Sequence, residues 1–275
     1  MPIKKDETGK RWVEMELLLP GTPEQVWQAV ATGPGNASWF VKGEIEARVG
    51  GMFRLDFGGG ATTAGEVTTW DPPRRFGYVE RDWEPGAPPV ATEITISGRA
   101  GNTCVMRMVH SLFSTSDEWD DQIEGFERGW PGFFAVLRVY LAHFAGTSAS
   151  SFMTMTQTNG DALTVWRKLS EGLGVLGADV GELRAALAGP ERWSGVVERA
   201  YQDEHQRWLL LRVSQPSNGA LLLGTYNKRA TSQEAAGENV NVNVCRYFYG
   251  ESSERLSADA QVRWGEWLER EFKNQ

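Results

Sequence analysis

The residues of this sequence that could perform acid–base chemistry are few, and two of them are predicted to face the same interior. His110 closes an alternating stretch that includes Met106 and Met108, and Glu80 has the parity of Tyr78. Alternate residues of a strand point to the same side, so both are predicted to point inward, where a carboxylate needs a partner or a raised pKa. His110 either hydrogen-bonds within the interior wall or does acid–base work. Glu80 is either its partner in that work or a solvated residue at the rim.

Other chemical motifs are missing or out of context. The three histidines, His110, His143 and His205, lack the paired spacing of a zinc site. His110 and Ser111 are consecutive strand residues on opposite faces, so they cannot form a nucleophile and base pair. Residues 172–177 satisfy G-x-G-x-x-G, but they follow a predicted helix instead of a strand, which is typical of a helix end. We therefore predict no metal, no cofactor and no catalytic residue.

Charge and composition exclude several classes of protein. The chain has 275 residues and a net charge of -8, and neither half is basic. Nucleic-acid binding needs clustered positive charge, so we predict no nucleic-acid partner. Residues 1–11 are polar, and no stretch reaches the roughly 18 apolar residues of a membrane span, so we predict no membrane association. Cys104 and Cys245 lie in apolar stretches without C-x-x-C spacing, which indicates buried thiols in a reducing, cytoplasmic compartment.

The first half of the chain is predicted to form an antiparallel meander followed by a long helix. A strand over residues 13–19 precedes a helix that begins at Thr22, with Gln25 at the capping-box position. A second capping box, at residues 115–118, begins a long helix that has one apolar stripe. Pro131 lies inside this helix and should kink it. Strands are predicted over residues 42–48, 52–57, 65–70, 74–83, 92–99 and 103–112, separated by glycine and proline turns such as residues 58–60.

The second half begins after a small polar linker at residues 146–151 and is predicted to repeat the order of elements of the first half. Val240, Val242 and Val244 alternate with polar residues, and the sequence leaves open which set faces the core. A closing helix is predicted from Ser257. The other predicted elements are a strand at residues 152–156, a helix at residues 161–170, and strands at residues 194–201, 207–214, 219–228 and 240–249.

Several short motifs in the first half carry a family resemblance. They are Pro23-Glu24-Gln25-Val26-Trp27, Trp39-Phe40, Gly50-Gly51-Met52-Phe53-Arg54, Gly65-Glu66-Val67, Pro72-Pro73-Arg74-Arg75-Phe76, Gly101-Asn102-Thr103, His110, Gly129-Trp130 and Tyr140-Leu141. On these residues the first half resembles the heat-shock ATPase activator homologue family of the START-like (SRPBCC) superfamily. The second half, with Val165-Trp166 matching Val26-Trp27, resembles a diverged copy.

The resemblance implies an α+β helix-grip fold, in which an antiparallel curved sheet wraps a long C-terminal helix and leaves a cavity between them. We expect one such domain at residues 1–146 and a diverged second one at residues 147–275. The bulky side chains predicted to line the interior either contact a ligand or fill a solid core, and both interpretations stay open. These candidate ligand-binding residues are Trp39, Phe40, Phe53, Tyr78, Met106, Met108, His110, Trp130, Phe133 and Phe134.

The expected function is non-catalytic binding of a small lipophilic molecule in that cavity. One alternative is a protein-interaction module that resembles a chaperone cofactor, which would make a chaperone the partner. Another is an enzyme that resembles the polyketide cyclases, although no nucleophile, metal or cofactor motif supports one. The sequence names neither the ligand nor the oligomeric state.

Overall fold

The computed structural model describes residues 3–7, 9–81, 83, 86–113, 119–227 and 239–273. The chain divides into two compact units, Met1–Gly146 and Thr147–Gln275. Each unit has its own antiparallel sheet. The architecture is therefore the α+β class that the sequence predicts.

The sheet of the first unit is an antiparallel meander whose early long strand pairs with its last strand. The strands are β1 (Lys4–Lys5), β2 (Lys10–Pro20), β3 (Lys42–Ile45), β4 (Met52–Gly58), β5 (Ala61–Asp71), β6 (Arg75–Arg81), β7 (Val90–Arg99) and β8 (Thr103–Phe113). In the described residues the strand order is β1-β2-β8-β7-β6-β5-β4-β3, so β2 and β8 pair although they are far apart in the sequence. Gly58, Gly59 and Gly60 all have positive φ and form the predicted turn between β4 and β5.

The helices of the first unit follow the capping signals where these are described. In α1 (Pro23–Ala31), Thr22 Oγ1 accepts from the Gln25 backbone N–H and the Gln25 side chain accepts from the Thr22 backbone N–H, so the predicted capping box is confirmed. A short turn, α2 (Gly33–Asn36), follows. The long helix α3 (Asp120–His143) runs on through Pro131. The capping box predicted at residues 115–118 lies outside the described residues.

The inward face of this sheet agrees with the predicted alternation. Phe53, Leu55, Phe76, Ile94 and Ile96 are all buried, as are the alternate residues of β8 from Cys104 to Leu112. Because the pleat sends neighbours to opposite sides, one apolar layer forms between the sheet and the helices. The thiol of Cys104 is buried and free, and so is that of Cys245 in the second unit, which confirms the prediction for both.

In the second unit, too, the earliest strand pairs with the last. The elements are β9 (Ala149–Asn159), α4 (Ala162–Gly172), β10 (Leu183–Ala186), β11 (Trp193–Gln202), β12 (Gln206–Gln215), β13 (Gly219–Asn227), β14 (Asn239–Tyr249), α5 (Ser253–Leu268) and a π-helical turn (Glu269–Lys273). The strand order in the described residues is β10-β11-β12-β13-β14-β9, so β9 pairs with β14. The strand β10 was not predicted, and α5 begins four residues before the predicted Ser257.

The face assignment that the sequence leaves open on β14 is settled by the core. Val240, Val242 and Val244 belong to the buried cluster together with Trp264 and Trp267 of α5. Gly172 ends α4, and Gly174 and Gly177 have positive φ in the loop that follows. Residues 172–177 therefore form a helix end, as predicted, and no strand precedes them in the way a dinucleotide-binding loop requires.

A buried ion pair lies in the interior of the second unit. Arg246 is fully buried, and its Nε and Nη2 donate to the two carboxylate oxygens of Glu191 at 3.1 and 2.9 Å. Trp264 Nε1 donates to the same carboxylate at 3.1 Å. Arg246 Nη1 donates to the Tyr247 carbonyl oxygen at 2.7 Å. Both charges therefore have close, directional partners within the unit.

Candidate functional site

The sheet wall of the candidate site is formed by alternate residues of β8. Met106, Met108 and His110 are all buried and share one face of the strand. The neighbouring Ser111 points the other way and its hydroxyl donates to the Ala91 carbonyl oxygen at 3.4 Å. His110 and Ser111 are thus separated by the sheet, as their consecutive positions predict.

The helix side of the site is an aromatic cluster centred on Trp130. The Trp130 ring lies 4.7 Å from Phe40 and 5.3 Å from Phe134, centroid to centroid. Trp39 lies 5.9 Å from Trp130, and Phe133, which is only half-buried, lies 4.8 Å from Phe40. The structure therefore brings five predicted site residues from two chain segments into one group.

His110 joins this aromatic cluster to the sheet. Its imidazole stacks on Trp130 with the ring centroids 5.5 Å apart and the planes 14° from parallel. A second predicted pair, Phe53 and Tyr78, stacks at 3.8 Å on neighbouring parts of the sheet. Nine of the ten predicted ligand-binding residues are buried in the first unit, and Phe133 is half-buried. Seven of the ten form the two aromatic groups, and the other three, Met106, Met108 and His110, lie on β8. Whether they contact a ligand stays a prediction.

A polar row crosses the sheet between these two groups. Tyr78 on β6 stands opposite Thr92 on β7, and Thr92 stands opposite His110 on β8. Thr92 Oγ1 lies 2.7 Å from His110 Nδ1, and the Thr92 side chain also hydrogen-bonds with Tyr78. Thr92 is buried and was not predicted as a site residue. Its shared parity with Ile94 and Ile96 was the signal that could have identified it.

Glu80 lies on the same inward face as this row. It is half-buried and stands opposite Val90, one inward position along β6 from Tyr78. The strand β7 lies between β6 and β8, so two strand spacings separate the backbones of Glu80 and His110. Whether the two residues act as an acid–base pair stays a prediction. The rim interpretation is incomplete, because burial raises the pKa of Glu80 to about 7, although the Thr63 side chain opposes part of that rise.

A buried cation shares the cross-strand row of Glu80. Arg11 on β2 stands opposite Leu112, Leu112 opposite Val90, and Val90 opposite Glu80. Three strand spacings of roughly 4.8 Å separate the two backbones. Arg11 is buried on the inward face, a position that the sequence analysis did not single out.

The protonation states in the polar row follow from burial. Burial lowers the pKa of His110 to about 4, so its imidazole is neutral at pH 7. Burial, with the Glu80 charge adding to it, raises the pKa of Tyr78, so the phenol stays protonated. The row therefore presents uncharged hydrogen-bonding groups at neutral pH. Glu80 is the group here that titrates near neutrality.

Neither a metal-binding cluster nor a membrane-spanning helix is found in the described part of the chain. No group of three or more histidine, cysteine, aspartate or glutamate side chains there could hold a metal ion. No helix in those residues is long and apolar enough to cross a membrane.

Comparison with known proteins gives one family match. Residues 20–142 match the family described as activator of Hsp90 ATPase homolog 1-like protein. No curated protein matches the sequence.

Several solved structures are similar at low identity. DynU16, from the dynemicin biosynthetic locus, is 18% identical with a TM-score of 0.43, and the match covers 92% of this chain and 93% of that one. CalU16 from Micromonospora echinospora is 20% identical with a TM-score of 0.42, over 52% of this chain and 83% of that one. Aha1 from Colwellia psychrerythraea is 18% identical with a TM-score of 0.39, and the match covers 49% of this chain and 98% of that one.

The matched segment runs from the end of β2 to the last turn of α3. It contains the aromatic cluster and the polar row, and it confirms the family that the sequence motifs indicate for the first half. The match does not extend into the second unit, so the diverged copy stays a prediction. Residues 20–142 of this chain are therefore similar to the family described as activator of Hsp90 ATPase homolog 1-like protein.

Proposed function

We propose that the first unit binds a small lipophilic molecule between its sheet and α3, without catalysing a reaction. The observation that carries this proposal is the polar row of Tyr78, Thr92 and His110 beside the methionine and aromatic side chains of a mostly apolar interior. Burying polar groups has a free-energy cost unless they are hydrogen-bonded. A solid core has no need of such groups, whereas a binding site uses a few of them to orient a ligand.

The surroundings of the row support the same function. Met106 and Met108 lie on the strand that carries His110, and methionine side chains adapt to ligands of different shape. Trp130 and Phe40 supply flat apolar surface on the other side. The combination of a flexible apolar wall, aromatic rings and a short polar row is typical of small-molecule sites.

The binding function is tested by a ligand screen on the protein purified without delipidation. Native mass spectrometry should reveal a bound small molecule, and lipids, flavonoids or polyketides should raise the melting temperature. Met108→Trp fills the interior and should abolish the shift, whereas Met52→Trp, at an exposed methionine of β4, should not. Met106→Phe is the milder filling variant if Met108→Trp fails to fold. If no screened ligand shifts the melting temperature and no bound molecule is found, the proposal is wrong.

A chaperone is the second candidate partner, because the matching family is described as Hsp90 ATPase activator-like. This function requires the full chain to bind a chaperone ATPase and increase its rate of ATP hydrolysis. A titration of the chaperone with this protein measures both. An unchanged hydrolysis rate at saturating protein would eliminate this candidate.

A cyclase-like activity is the third candidate, and the pKa of Glu80 near 7 is what favours it. General acids and bases work best when their pKa lies near the working pH. Replacing Glu80 and His110 together should then abolish turnover of a polyketide substrate. Undiminished turnover in that double variant would exclude both residues from the chemistry.

The second unit is proposed to be a diverged copy of the first that has lost the binding role. In each unit the earliest long strand pairs with the last strand, and a helix follows that last strand. The interior of the second unit is occupied by the Glu191–Arg246 ion pair and Trp264. Hydrogen exchange with ligand bound should therefore show protection within residues 1–146 only. The two buried, free thiols are compatible with the proposed cytoplasmic location.

A further inference from the structure

The sheets of the two units contain the same irregularity. In the first unit, Gly50-Gly51 forms a β-bulge opposite Val67: the N–H of the first glycine donates to the Val67 carbonyl oxygen, and the Val67 N–H donates to the carbonyl oxygen of the second, each at 2.8 Å. In the second unit, Gly181-Glu182 makes the same two bonds with Val197, at 2.8 and 2.9 Å. The first residue of each bulge has positive φ, and in both sheets the pairing with the next strand shifts register just after the valine. Val67 and Val197 therefore stand at matching positions.

Strand register carries this match across both sheets to their last strands. Starting from Val67, the residues that stand opposite one another on successive strands are Tyr78, Thr92 and His110. Starting from Val197, they are Leu211, Leu221 and Arg246. Arg246 of β14 therefore stands at the position that His110 has on β8.

The helices that pack on these two positions match as well. Trp130 of α3 stacks on His110, and Trp264 of α5 donates to the carboxylate that Arg246 binds. The aromatic residue three positions later makes a T-shaped contact in both helices, with its ring 6.2 Å from Trp130 and 6.0 Å from Trp264. Trp130 is therefore the counterpart of Trp264.

The two indole N–H groups differ in their partners. Trp264 Nε1 donates to the Glu191 carboxylate at 3.1 Å. Trp130 is buried as well, but its Nε1 makes no hydrogen bond with any residue that the structure describes. An indole nitrogen can only donate, and a buried donor without an acceptor is costly. Trp130 therefore needs an acceptor that the described residues do not supply.

In the second unit that acceptor comes from the chain itself. Glu191 lies in the connection between β10 and β11, six residues before Val197, and its carboxylate is buried against Arg246 and Trp264. The residue six positions before Val67 is Ala61, which is exposed and has no polar side-chain atom. The first unit thus has the donor of this arrangement but lacks its internal acceptor.

We infer that the ligand of the first unit carries a carbonyl-type oxygen, of a ketone, ester, amide or carboxylate, which accepts a hydrogen bond from Trp130 Nε1 and takes the place that the Glu191 carboxylate has in the second unit. This inference rests on the proposed binding function and on the proposed repeat. It specifies one chemical group of the ligand and the side chain that recognises it.

Three naphthalene probes test the inference because they share one ring system. They are 2-acetylnaphthalene, with an uncharged acceptor; 2-naphthoate, with a charged acceptor; and 2-ethylnaphthalene, which has no acceptor. Dissociation constants at pH 7 come from equilibrium dialysis, checked by the quenching of tryptophan fluorescence. The measured quantity is the affinity of each acceptor probe relative to 2-ethylnaphthalene, compared between the wild type and a variant, so that differences in probe lipophilicity cancel.

Trp130→Phe keeps an aromatic ring and removes the donor. It should lower the relative affinity of at least one acceptor probe by about three- to tenfold, the usual worth of one hydrogen bond, and leave the affinity for 2-ethylnaphthalene nearly unchanged. A loss for 2-acetylnaphthalene shows that an uncharged carbonyl suffices, and a loss for 2-naphthoate alone identifies a carboxylate. Trp12→Phe is the matched control, because Trp12 is half-buried on the opposite face of β2 from Val13. It should change neither relative affinity.

A second measurement uses the wild type, in case Trp130→Phe fails to fold. With ¹⁵N-labelled tryptophan, one indole N–H signal should move downfield when an acceptor probe binds and should not do so with 2-ethylnaphthalene. A hydrogen bond to the indole proton causes such a shift. If no indole signal responds in this way, the inference is wrong.

The remaining outcomes separate this inference from the binding function. Relative affinities that stay unchanged in Trp130→Phe, or that fall equally in Trp12→Phe, overturn the role of Trp130 and leave the binding function standing. The inference is equally wrong if the wider ligand screen finds only ligands without an acceptor oxygen. If none of the three probes binds and that screen is negative as well, the binding function itself fails.

Discussion

The two units solve the problem of buried polar side chains in different ways. In the second unit, Glu191 and Arg246 form a bidentate ion pair, and Trp264 and the Tyr247 carbonyl group complete it. In the first unit, Tyr78, Thr92 and His110 form an uncharged row beside apolar and aromatic surface. One arrangement pairs opposite charges, and the other joins uncharged groups by hydrogen bonds.

This difference shows that buried polarity alone does not identify a functional site. Buried ion pairs contribute little net stability, but removal of one partner is strongly destabilising because it leaves a buried charge without its counterion. An uncharged row has a smaller penalty and can exchange one partner for a ligand group. This contrast supports a structural role for Glu191 and Arg246 and agrees with the proposed binding role of Tyr78, Thr92 and His110.

The largest expected effect is the loss of the ion pair. Glu191→Ala or Arg246→Ala should lower the free energy of unfolding of the second unit by about 3–5 kcal/mol, since either leaves an uncompensated buried charge. The double change Glu191→Leu with Arg246→Met should recover most of that loss. The free energy of unfolding is measured by denaturant titration with hydrogen exchange in residues 147–275 as the readout. A loss below about 1 kcal/mol in both single variants would remove the structural contrast between the units.

Matched tryptophan substitutions give the next largest effect. Trp264→Phe removes the indole donor to Glu191 and should cost about 1–3 kcal/mol, because a charged acceptor loses its partner. Trp130→Phe keeps an aromatic ring against His110 and should cost less, while weakening ligand binding. Thermal unfolding with and without ligand separates the two results. Equal destabilisation without any change in binding would argue that Trp130 is ordinary core.

The pH dependence of the first unit should contain two opposing contributions. The pKa of Glu80 is about 7 in the folded protein against an ordinary 4.5, so its contribution lowers stability as the pH rises from about 4.5 to 7. The pKa of His110 is about 4 against an ordinary 6.5, so its contribution raises stability as the pH rises from about 4 to 6.5. Each has a slope of at most about 1.4 kcal/mol per pH unit.

Glu80→Gln should remove the first of these contributions. The unfolding free energy of the variant should then rise from pH 4 to 6.5 and stay level above pH 7, whereas the wild type loses stability between pH 6.5 and 7. Chemical denaturation across this range, with Glu204→Gln as an exposed carboxylate control in the second unit, measures the difference. Identical pH profiles for wild type and Glu80→Gln would show that Glu80 is solvated.

The smallest effect is expected at an exposed ion pair. Arg107 and Lys4 lower the pKa of Glu14 to about 2, mainly through their side-chain hydrogen bonds to its carboxylate. The stabilisation is present above pH 4.5 and is lost as the pH falls toward 2. Glu14→Gln should cost at most about 1 kcal/mol at pH 7, and less in high salt. If Glu14→Gln lowered the free energy of unfolding as much as Glu191→Ala, burial would not be what makes one ion pair matter more than the other.

Much of the fold could be predicted because local signals agree with it. The capping box at Thr22 and Gln25, the alternation along β8, and the glycines at residues 58–60 each specify their own geometry. The family resemblance of the first half was also readable, since its motifs are spread over most of the matched segment.

The parts that were missed depend on contacts between distant residues. The parity of Thr92 with Ile94 and Ile96 indicates only that it faces inward; its place beside Tyr78 and His110 depends on strand register, which is not visible in a single strand. The inward face of β14 was open because both its sets of residues are largely buried. The short strand β10 has little apolar pattern of its own and exists by pairing with β11.

The pairing of each unit's earliest long strand with its last has a consequence for biosynthesis. During translation, β2 has no hydrogen-bonded partner on one side until β8 has left the ribosome. In the same way, β9 has no partner strand until β14 has been synthesised. Pairings between residues so far apart in sequence form slowly and leave strand edges exposed meanwhile. The nascent chain therefore passes through two separate intervals in which an early strand lacks its later partner and can aggregate or bind a holdase, and these intervals end when β8 and β14 emerge.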